Sequence, residues 1–194
     1  MPIKSDGPCF DLLKNLNKMF KKINFSKLEK IPVIYLITIL FLTTFILYGN
    51  SLFNGFVWDD EEQIVSNSII KHVENISYLF KGSTFNTGGA GLGGFYYKPL
   101  MPLSFLINYA IWGENAFGFH FLQVIFHAIN GLLLFVLFKK LFDFQNLQFS
   151  KIIAFTLSLI FIVHPTNVES VAYISSVQEI LYTFFLILSF LFAF

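Results

Sequence analysis

Long uncharged apolar stretches, separated by shorter polar segments, dominate the pattern of the chain. Residues 31–53, 117–138, 152–165 and 171–194 each carry such a stretch. An α-helix rises 1.5 Å per residue and the hydrocarbon core of a bilayer is about 30 Å thick, so about twenty apolar residues are enough to cross it. The pattern therefore predicts an all-α membrane protein, a polytopic bundle of about four transmembrane helices.

The loop between the first two predicted spans, residues 54–115, has structure of its own. Its pattern predicts a short helix over 63–80, a flexible glycine-rich stretch over 88–94 and an apolar interfacial helix ending at Trp112. The glycines lack the Lys-Ser/Thr ending of a phosphate-binding loop, so nucleotide binding is not indicated. A plain linker and a loop that gates a substrate both remain open interpretations of this stretch.

Lysines precede the first span and carboxylates follow it. Residues 1–30 alternate lysines with apolar side chains at helical spacing, as a basic amphipathic surface helix does. Because loops on the cytoplasmic side carry an excess of lysine, this tail is predicted to be cytoplasmic and the loop 54–115 to be extracytoplasmic. We call residues 54–115 the outer loop after this prediction. Lys139 and Lys140 follow the second predicted span and place its C-terminal end on the cytoplasmic side.

Composition strengthens the membrane assignment. Only 13% of the residues are charged, against roughly 25% in soluble domains. The net charge is +1 and no basic groove with interleaved aromatics is visible, so nucleic acid is not a predicted partner. The single cysteine, Cys9, allows no disulfide within the chain and no cysteine-based metal site.

All 13 basic residues are lysine. A phosphate would therefore be bound by lysine, histidine or backbone N–H groups rather than by a bidentate guanidinium. A chain rich in Lys, Asn, Ile and Phe and without arginine also suggests an AT-rich prokaryotic genome, so we expect a prokaryotic cell membrane.

Three polar clusters carry the candidate chemistry, because ionisable groups at membrane depth cost about 2.5–3.5 kcal/mol each on insertion scales. The first cluster, Asp59–Asp60–Glu61–Glu62, follows the first span directly. Repulsion between adjacent carboxylates can raise the pKa of one of them, which suits a general base beside an ionised neighbour. A solvated acidic loop is the alternative.

The second cluster is a polar stripe within the second span: His120, Gln123, His127 and Asn130. Spacings of three and four residues place them on one helix face, which should point into the bundle. Interhelical hydrogen bonds that fix the packing are the alternative to a functional role. The two histidines are two turns apart, too far to share a metal ion, so no metal site is predicted.

The third cluster is the turn that contains His164, Pro165 and Glu169. Pro165 should end a helix, and a carboxylate at the start of the next helix is favoured by the helix dipole. A capping role and a functional role for Glu169 both remain open. Glu179 lies deeper in the last span and is harder to explain by capping.

Five blocks that contain these clusters resemble, in order, those of membrane protein O-mannosyltransferase-like proteins. The family includes relatives whose transmembrane helices are followed by tetratricopeptide repeats. The blocks are Phe56–Asp60, Tyr96–Leu100, Asn108–Gly113, Gly118–His120 with His127 and Asn130, and His164–Ala172. The resemblance implies a C-type glycosyltransferase that moves a sugar from a polyprenyl-phosphate donor to a protein or glycan acceptor on the extracytoplasmic face.

The resemblance also implies roles for individual residues. Asp59, with Asp60 beside it, stands where related mannosyltransferases carry their catalytic base. Lys98, His120, His164 and Glu169 are the candidates for binding the substrate and its lipid phosphate. The lipid-linked sugar is then a substrate, and no cofactor is expected. Residues 175–179 lack the arginine that the family often carries there.

A non-catalytic alternative also fits the pattern: a membrane scaffold or transporter fragment whose polar residues only pack helices. A transporter should have helices broken near the middle of the bilayer, whereas Pro165 lies near a helix end. The chain stops at 190–194 without a polar flank, so we expect a fragment that is inactive alone and has a further C-terminal part of its own chain as a partner of residues 31–194.

The predicted topology can be tested by alkylation of single cysteines at Ser83, Asn167 and Gln145 in a Cys9-free background. Cysteines at the first two positions should react with an impermeant reagent added outside, and the one at Gln145 only after permeabilisation. Labelling of Ser83 and Asn167 from opposite sides would separate Asp59 from His164 and contradict the topology.

Overall fold

The computed structural model describes residues 25–81 and 96–193, and every regular element in these two ranges is helical. The α-helices are α1 Phe25–Leu28, α2 Val33–Tyr48, α3 Leu100–Trp112, α4 Ala116–Phe144, α5 Ser150–Val163, α6 Asn167–Ala172 and α7 Val177–Ala193. Shorter elements are 3₁₀ turns at Gly49–Phe53, Val73–Phe80 and Ile174–Ser176 and a π-helical turn at Glu61–Val65. The all-α fold class is confirmed.

Two predicted elements fall on residues outside the described ranges, the amphipathic helix before residue 25 and the glycine-rich stretch at 88–94. Cys9 also lies outside these ranges. In the described part of the outer loop, the predicted helix over 63–80 is two short turns instead of one helix. The predicted apolar helix ending at Trp112 is confirmed as α3.

Within residues 25–81 and 96–193, three helical segments are long and apolar enough to cross a membrane: Val33–Phe53, Ala116–Phe144 and Ile174–Ala193. The remaining predicted span corresponds to α5, which has 14 residues and is therefore only about 21 Å long. Its end has a local cause, because His164 precedes a proline and takes an extended conformation, with φ −67° and ψ 127°.

Helix α4 is the central element of the bundle, and it packs against α2, α5 and α7. One apolar cluster joins α2, α4 and α5 through Leu36, Leu40, Phe135 and Ile162. A second cluster joins the outer loop to the start of α7. Its members include Ile64, Ile70, Phe105, Phe119, Ile174 and Val177. The outer loop is therefore packed onto the helices by apolar contacts of its own.

The polar stripe of α4 faces the bundle interior, as predicted, with each side chain no more than 2% exposed. Gln123 and His127 bond to main-chain carbonyls at two interruptions of the helices, whereas Asn130 Nδ2 donates to the carbonyl of Ile180 within α7 (3.0 Å). Gln123 donates from Nε2 to the carbonyl of Tyr173 (2.7 Å), and those of Ser170 and Ile174 lie at 3.2 Å. These carbonyls lie at the break between α6 and α7, where those of Tyr173 and Ile174 also accept from the N–H groups of Ser176 and Val177 in the 3₁₀ turn.

The end of α5 is bonded in the same way. Tyr48 of α2 donates its hydroxyl to the carbonyl of Ile162 (3.2 Å), and Nε2 of His127 lies 3.3 Å from the same oxygen. Asn167 Nδ2 donates to the carbonyl of Phe161 (2.6 Å). The packing role proposed for the stripe is therefore confirmed for Gln123 and His127.

Glycines let two neighbours approach α4 closely. An added Cβ at Gly118 would lie 2.2 Å from Cγ of Trp112, and one at Gly131 would lie 2.6 Å from Cδ1 of Ile162. Small residues commonly allow such close contacts between membrane helices. Because the crowded atoms of Trp112 are close to its backbone, a side chain at Gly118 requires the α3–α4 corner to shift.

We expect Gly118→Ala to lower the free energy of unfolding by about 1–3 kcal/mol relative to Gly49→Ala, because the first change overpacks a close contact. Gly49 is the matched control, since it has helical φ and an added Cβ meets nothing within 4 Å. The measurement is the thermal unfolding midpoint of both variants in the same detergent. Equal midpoints would contradict the close packing of Trp112 on Gly118.

Candidate functional site

Asp60 is fully buried and joins the outer loop to the break before α7. Its Oδ2 accepts a hydrogen bond from the N–H of Val57 (3.0 Å). Its Oδ1 accepts from both the N–H (2.9 Å) and the hydroxyl (2.5 Å) of Ser175. Burial raises the pKa of the Asp60 carboxyl, while the hydrogen bonds from Ser175 and Val57 and the nearby charge of His120 lower it partway back.

A tight turn gives the two adjacent aspartates opposite environments. Trp58 adopts a φ of 50°, which is uncommon for a residue with a large side chain. Its exposed indole lies edge-on to the ring of Tyr173, with the centroids 6.0 Å apart. The pKa of Tyr173 is raised, mainly by burial. The turn directs the Asp60 side chain inward and leaves Asp59 exposed.

Asp59 and Lys98 line one polar cavity of about 150 Å³ at the start of α7. We call it the Asp59–Lys98 cavity. Its other lining residues are Gln63, Tyr96, Met101, Ser175 and Gln178. A carboxylate, an ammonium, a hydroxyl and amides therefore meet in one space, where they can hold a proton acceptor near a binding site for negative charge.

The start of α3 positions Lys98. Pro99 precedes the first residue of the helix, and the carbonyl of Lys98 accepts from the N–H of Met101 (3.2 Å). The ammonium lies 5.0 Å from the ring centroid of Tyr96, a cation–π distance. Tyr97 donates its hydroxyl to the carbonyl of Phe80 (3.3 Å). This bond links the segment that carries Lys98 to the end of the 3₁₀ turn at Val73–Phe80.

Two apolar cavities continue from Lys98 along the bundle. The first, of about 160 Å³, shares Lys98 with the polar cavity and adds Leu100, Leu181 and Tyr182. The second, of about 250 Å³, is a groove whose lining is almost wholly hydrocarbon. Its residues are Leu100, Leu103, Ser104, Ile107, Leu122, Phe126, Leu181 and Phe185. An apolar path along α3 and α7 therefore leads away from the ammonium group.

The other predicted site residues lie elsewhere. His120 is buried beside Asp60, and neither of its ring nitrogens has a hydrogen-bond partner. His164 is exposed in the turn after α5, where its Nδ1 accepts from the N–H of Thr166 (3.3 Å). Glu169 is exposed on α6. None of the three lines the Asp59–Lys98 cavity, so their substrate-binding roles stay predictions.

Sequence reasoning did not assign Gln63, Tyr96, Ser175 or Gln178 to the site. Ser175 and Gln178 follow the break after α6, and only the folding of that break onto the outer loop brings them to Asp59. No pattern of neighbouring residues in the sequence predicts this long-range contact. In the described ranges, no group of three or more His, Cys, Asp and Glu side chains lies close enough to hold a metal ion.

Known proteins with similar sequences share one activity in their names. Protein O-mannosyl-transferase F38B6.6 of Caenorhabditis elegans is 32% identical over 76% of the chain and 21% of its own length. Protein O-mannosyl-transferase TMTC3 of Homo sapiens is 32% identical over 74% of the chain and 15% of its own length. Protein O-mannosyl-transferase TMTC1 of Mus musculus is 34% identical with the same two shares, 74% and 15%.

The chain therefore spans about a fifth or less of the length of these relatives. No family model matches the chain, and no solved structure matches it significantly. The relatives named are animal proteins, so they give no support to the expected prokaryotic membrane.

The sequence likeness extends over about three quarters of the chain and accompanies a helical membrane fold. By this likeness the chain belongs to the family of protein O-mannosyl-transferases.

Proposed function

We propose that the chain acts in the transfer of a sugar, as a mannosyltransferase does, from a polyprenyl-phosphate donor to a hydroxyl of a protein or glycan acceptor. The transfer takes place on the extracytoplasmic face of the membrane. The observation that carries this proposal is the meeting of Asp59 and Lys98 in one cavity. Membership of a family named for O-mannosyl transfer supports it.

The two side chains supply the two charges that the reaction needs. The acceptor oxygen attacks the anomeric carbon, and the bond from that carbon to the phosphate oxygen breaks. Asp59, exposed at the cavity, takes the proton of the acceptor hydroxyl. Lys98 stabilises the negative charge that develops on the departing polyprenyl phosphate. The products are the glycosylated acceptor and the lipid phosphate.

The apolar cavities beyond Lys98 support a lipid-linked donor. A phosphate held at Lys98 has on one side the polar cavity and on the other the space bounded by Leu100 and Leu181. The groove continues to Ile107 and Phe185. An isoprenoid chain laid there would cover hydrocarbon side chains, each buried CH₂ contributing about 0.8 kcal/mol.

In this proposal Asp60 positions its neighbour and does not touch the substrate. It has no exposed surface, and its oxygens already accept three hydrogen bonds. Those bonds hold the turn 57–60 against Ser175, and the turn determines where the Asp59 carboxylate lies. The adjacent acidic pair is therefore divided between a base and an anchor.

We expect Asp59→Asn to lower the rate of mannosyl transfer by about 10²–10⁴-fold, the usual contribution of a general base. Thermal stability should not change, because Asp59 is exposed. The rate is measured in membranes that contain the full-length protein, with polyprenyl-phosphate-linked mannose as donor. Glu61→Gln is the matched control, since Glu61 is an exposed carboxylate outside the cavity lining. Full activity of Asp59→Asn would exclude Asp59 as the base.

Ser175→Ala tests the anchoring role through its pH dependence. Because burial raises the pKa of Asp60 in the folded state, the contribution of this carboxyl to stability is greatest below the unfolded-state pKa. It falls as the pH rises through the folded-state pKa. The hydroxyl of Ser175 donates to Asp60 and lowers its pKa, so its removal should make this fall larger.

The loss of stability in Ser175→Ala should therefore be about 1–3 kcal/mol at neutral pH and smaller in acid, where Asp60 is protonated. Thermal unfolding midpoints across pH 4 to 8 measure it. Ser176→Ala is the control, because Ser176 is a similarly buried serine next in the chain. The same loss at every pH, or the same loss in both variants, would contradict the anchoring role.

A further inference from the structure

The Asp59–Lys98 cavity and the smaller of the two apolar cavities meet at three side chains. Lys98, Met101 and Gln178 line both spaces, and we call this shared region the neck. The carboxylate of Asp59 lies on the polar side of the neck, and the hydrocarbon of Leu100 lies on the other side. The neck is therefore the place where polar surroundings give way to apolar ones.

Gln178 brings an uncommitted amide to the neck. Its Oε1 is buried without a hydrogen-bond partner, and its Nε2 donates to no group of the described residues. Because the oxygen is buried, the N–H₂ group is what Gln178 can offer to a ligand, and such a donor needs an acceptor. The next residue, Glu179, lines a separate cavity with Ile180 and Thr183, so its carboxylate is not at the neck.

The start of α3 adds positive charge at the same place. Lys98 and Pro99 directly precede this 13-residue helix, which has no side-chain cap at Pro99 and no acidic residue in its first turn. The N–H groups at a helix start carry partial positive charge and attract anions. The start of α7 differs, because the carboxylate of Asp60 already accepts from the N–H of Ser175 just before that helix.

The other polar groups of the two cavities are either already bonded or lie away from the neck. The hydroxyl of Ser175 donates to Asp60, and that of Tyr97 donates to the carbonyl of Phe80. Away from the neck, the polar side is lined by Asp59, Gln63 and Tyr96 and the apolar side by Tyr182. Among the described lining residues, Lys98 is therefore the one charged side chain at the neck, and its ligand should be an anion.

We propose that Gln178 and the start of α3 complete, with Lys98, a binding site for the phosphate of an isoprenoid phosphate at the neck. The assignment rests on the proposed function, because a donor of that kind has its phosphate between a polar sugar and an apolar chain. Gln178 sets the charge of this site. A carboxylate at position 178 would offset the ammonium of Lys98 and repel the phosphate, whereas a second ammonium would attract it more strongly.

The test is equilibrium binding of radiolabelled farnesyl phosphate to the full-length protein in phosphatidylcholine nanodiscs, with empty nanodiscs as the background. Wild type should bind it saturably. Gln178→Glu should weaken binding about tenfold or more, because a negative charge replaces a donor. Gln178→Lys should bind at least as tightly as wild type. A residue that only packs the helices would lose binding in both variants, so the opposite signs distinguish a phosphate contact from a structural role.

Gln148→Glu is the matched control, because it makes the same change of charge at an exposed residue that lines neither cavity. Binding should be unchanged in this variant. Farnesol and inorganic phosphate test the two parts of the ligand separately. Each should compete about tenfold or more less well than farnesyl phosphate, since farnesol lacks the charge and inorganic phosphate lacks the hydrocarbon chain.

Three results would overturn the inference: no saturable binding, affinities of Gln178→Glu and Gln178→Lys that are both unchanged or both lowered, or competition by farnesol or inorganic phosphate as strong as that by farnesyl phosphate. Asp59→Asn separates this inference from the proposed function, because it should lose transfer and keep farnesyl phosphate binding. Loss of transfer in Asp59→Asn, with binding that does not respond to position 178, would overturn only the neck. The expected binding pattern with full transfer in Asp59→Asn would overturn only the base.

Discussion

Hydrogen bonding of interrupted main chain is the constraint on which the rest of this structure depends. In surroundings without water, each unsatisfied N–H or C=O group costs several kcal/mol, so a break in a helix is tolerated only where protein groups replace the missing partners. In the described residues the bundle has two such breaks, one at the end of α5 and one between α6 and α7. Side chains of α2, α4 and α6 bond to the first, and Gln123 of α4 bonds to the second.

This constraint links a polar stripe on α4 to the position of the candidate site. Gln123 holds the carbonyls of the second break, and the N–H of Ser175 in the same break binds Asp60. The break therefore joins α4 on one side and the outer loop on the other. Gln123 therefore does more than pack two helices together. Through the break between α6 and α7, and through the turn at Asp60 that is bonded to it, Gln123 fixes where the Asp59 carboxylate lies.

Sequence reasoning predicted well those features that a single helix or a single turn determines. The apolar stretches gave the long helices, the three- and four-residue spacings gave the buried face of α4, and Pro165 gave the end of α5. Residues brought together by long-range packing were not predictable. Gln178 and Ser175 reach Asp59 only because the break after α6 folds onto the outer loop.

The same dependence on long-range contacts explains why the sequence pattern did not separate the roles of Asp59 and Asp60. Asp59 and Asp60 have the same side-chain chemistry and adjacent positions, so, apart from the family resemblance, the residues themselves offer no basis for choosing between them. The choice comes from the positive φ of Trp58 and from donors that lie far along the chain. Helix α4 shows that polar residues of one stripe can also differ in partner, since Gln123 donates to carbonyls of the break before α7 while Asn130 donates to the carbonyl of Ile180 within α7.

The lengths of two neighbouring helices have a consequence for the lipid around the protein. Helix α4 has 29 residues and α5 has 14, so the first is longer and the second shorter than an average hydrocarbon core of about 30 Å. Thinning beside a short helix is one way in which a bilayer accommodates such hydrophobic mismatch. We therefore expect lipid headgroups and water to lie deeper on the α5 side, next to the exposed turn at His164, than along the rest of the bundle.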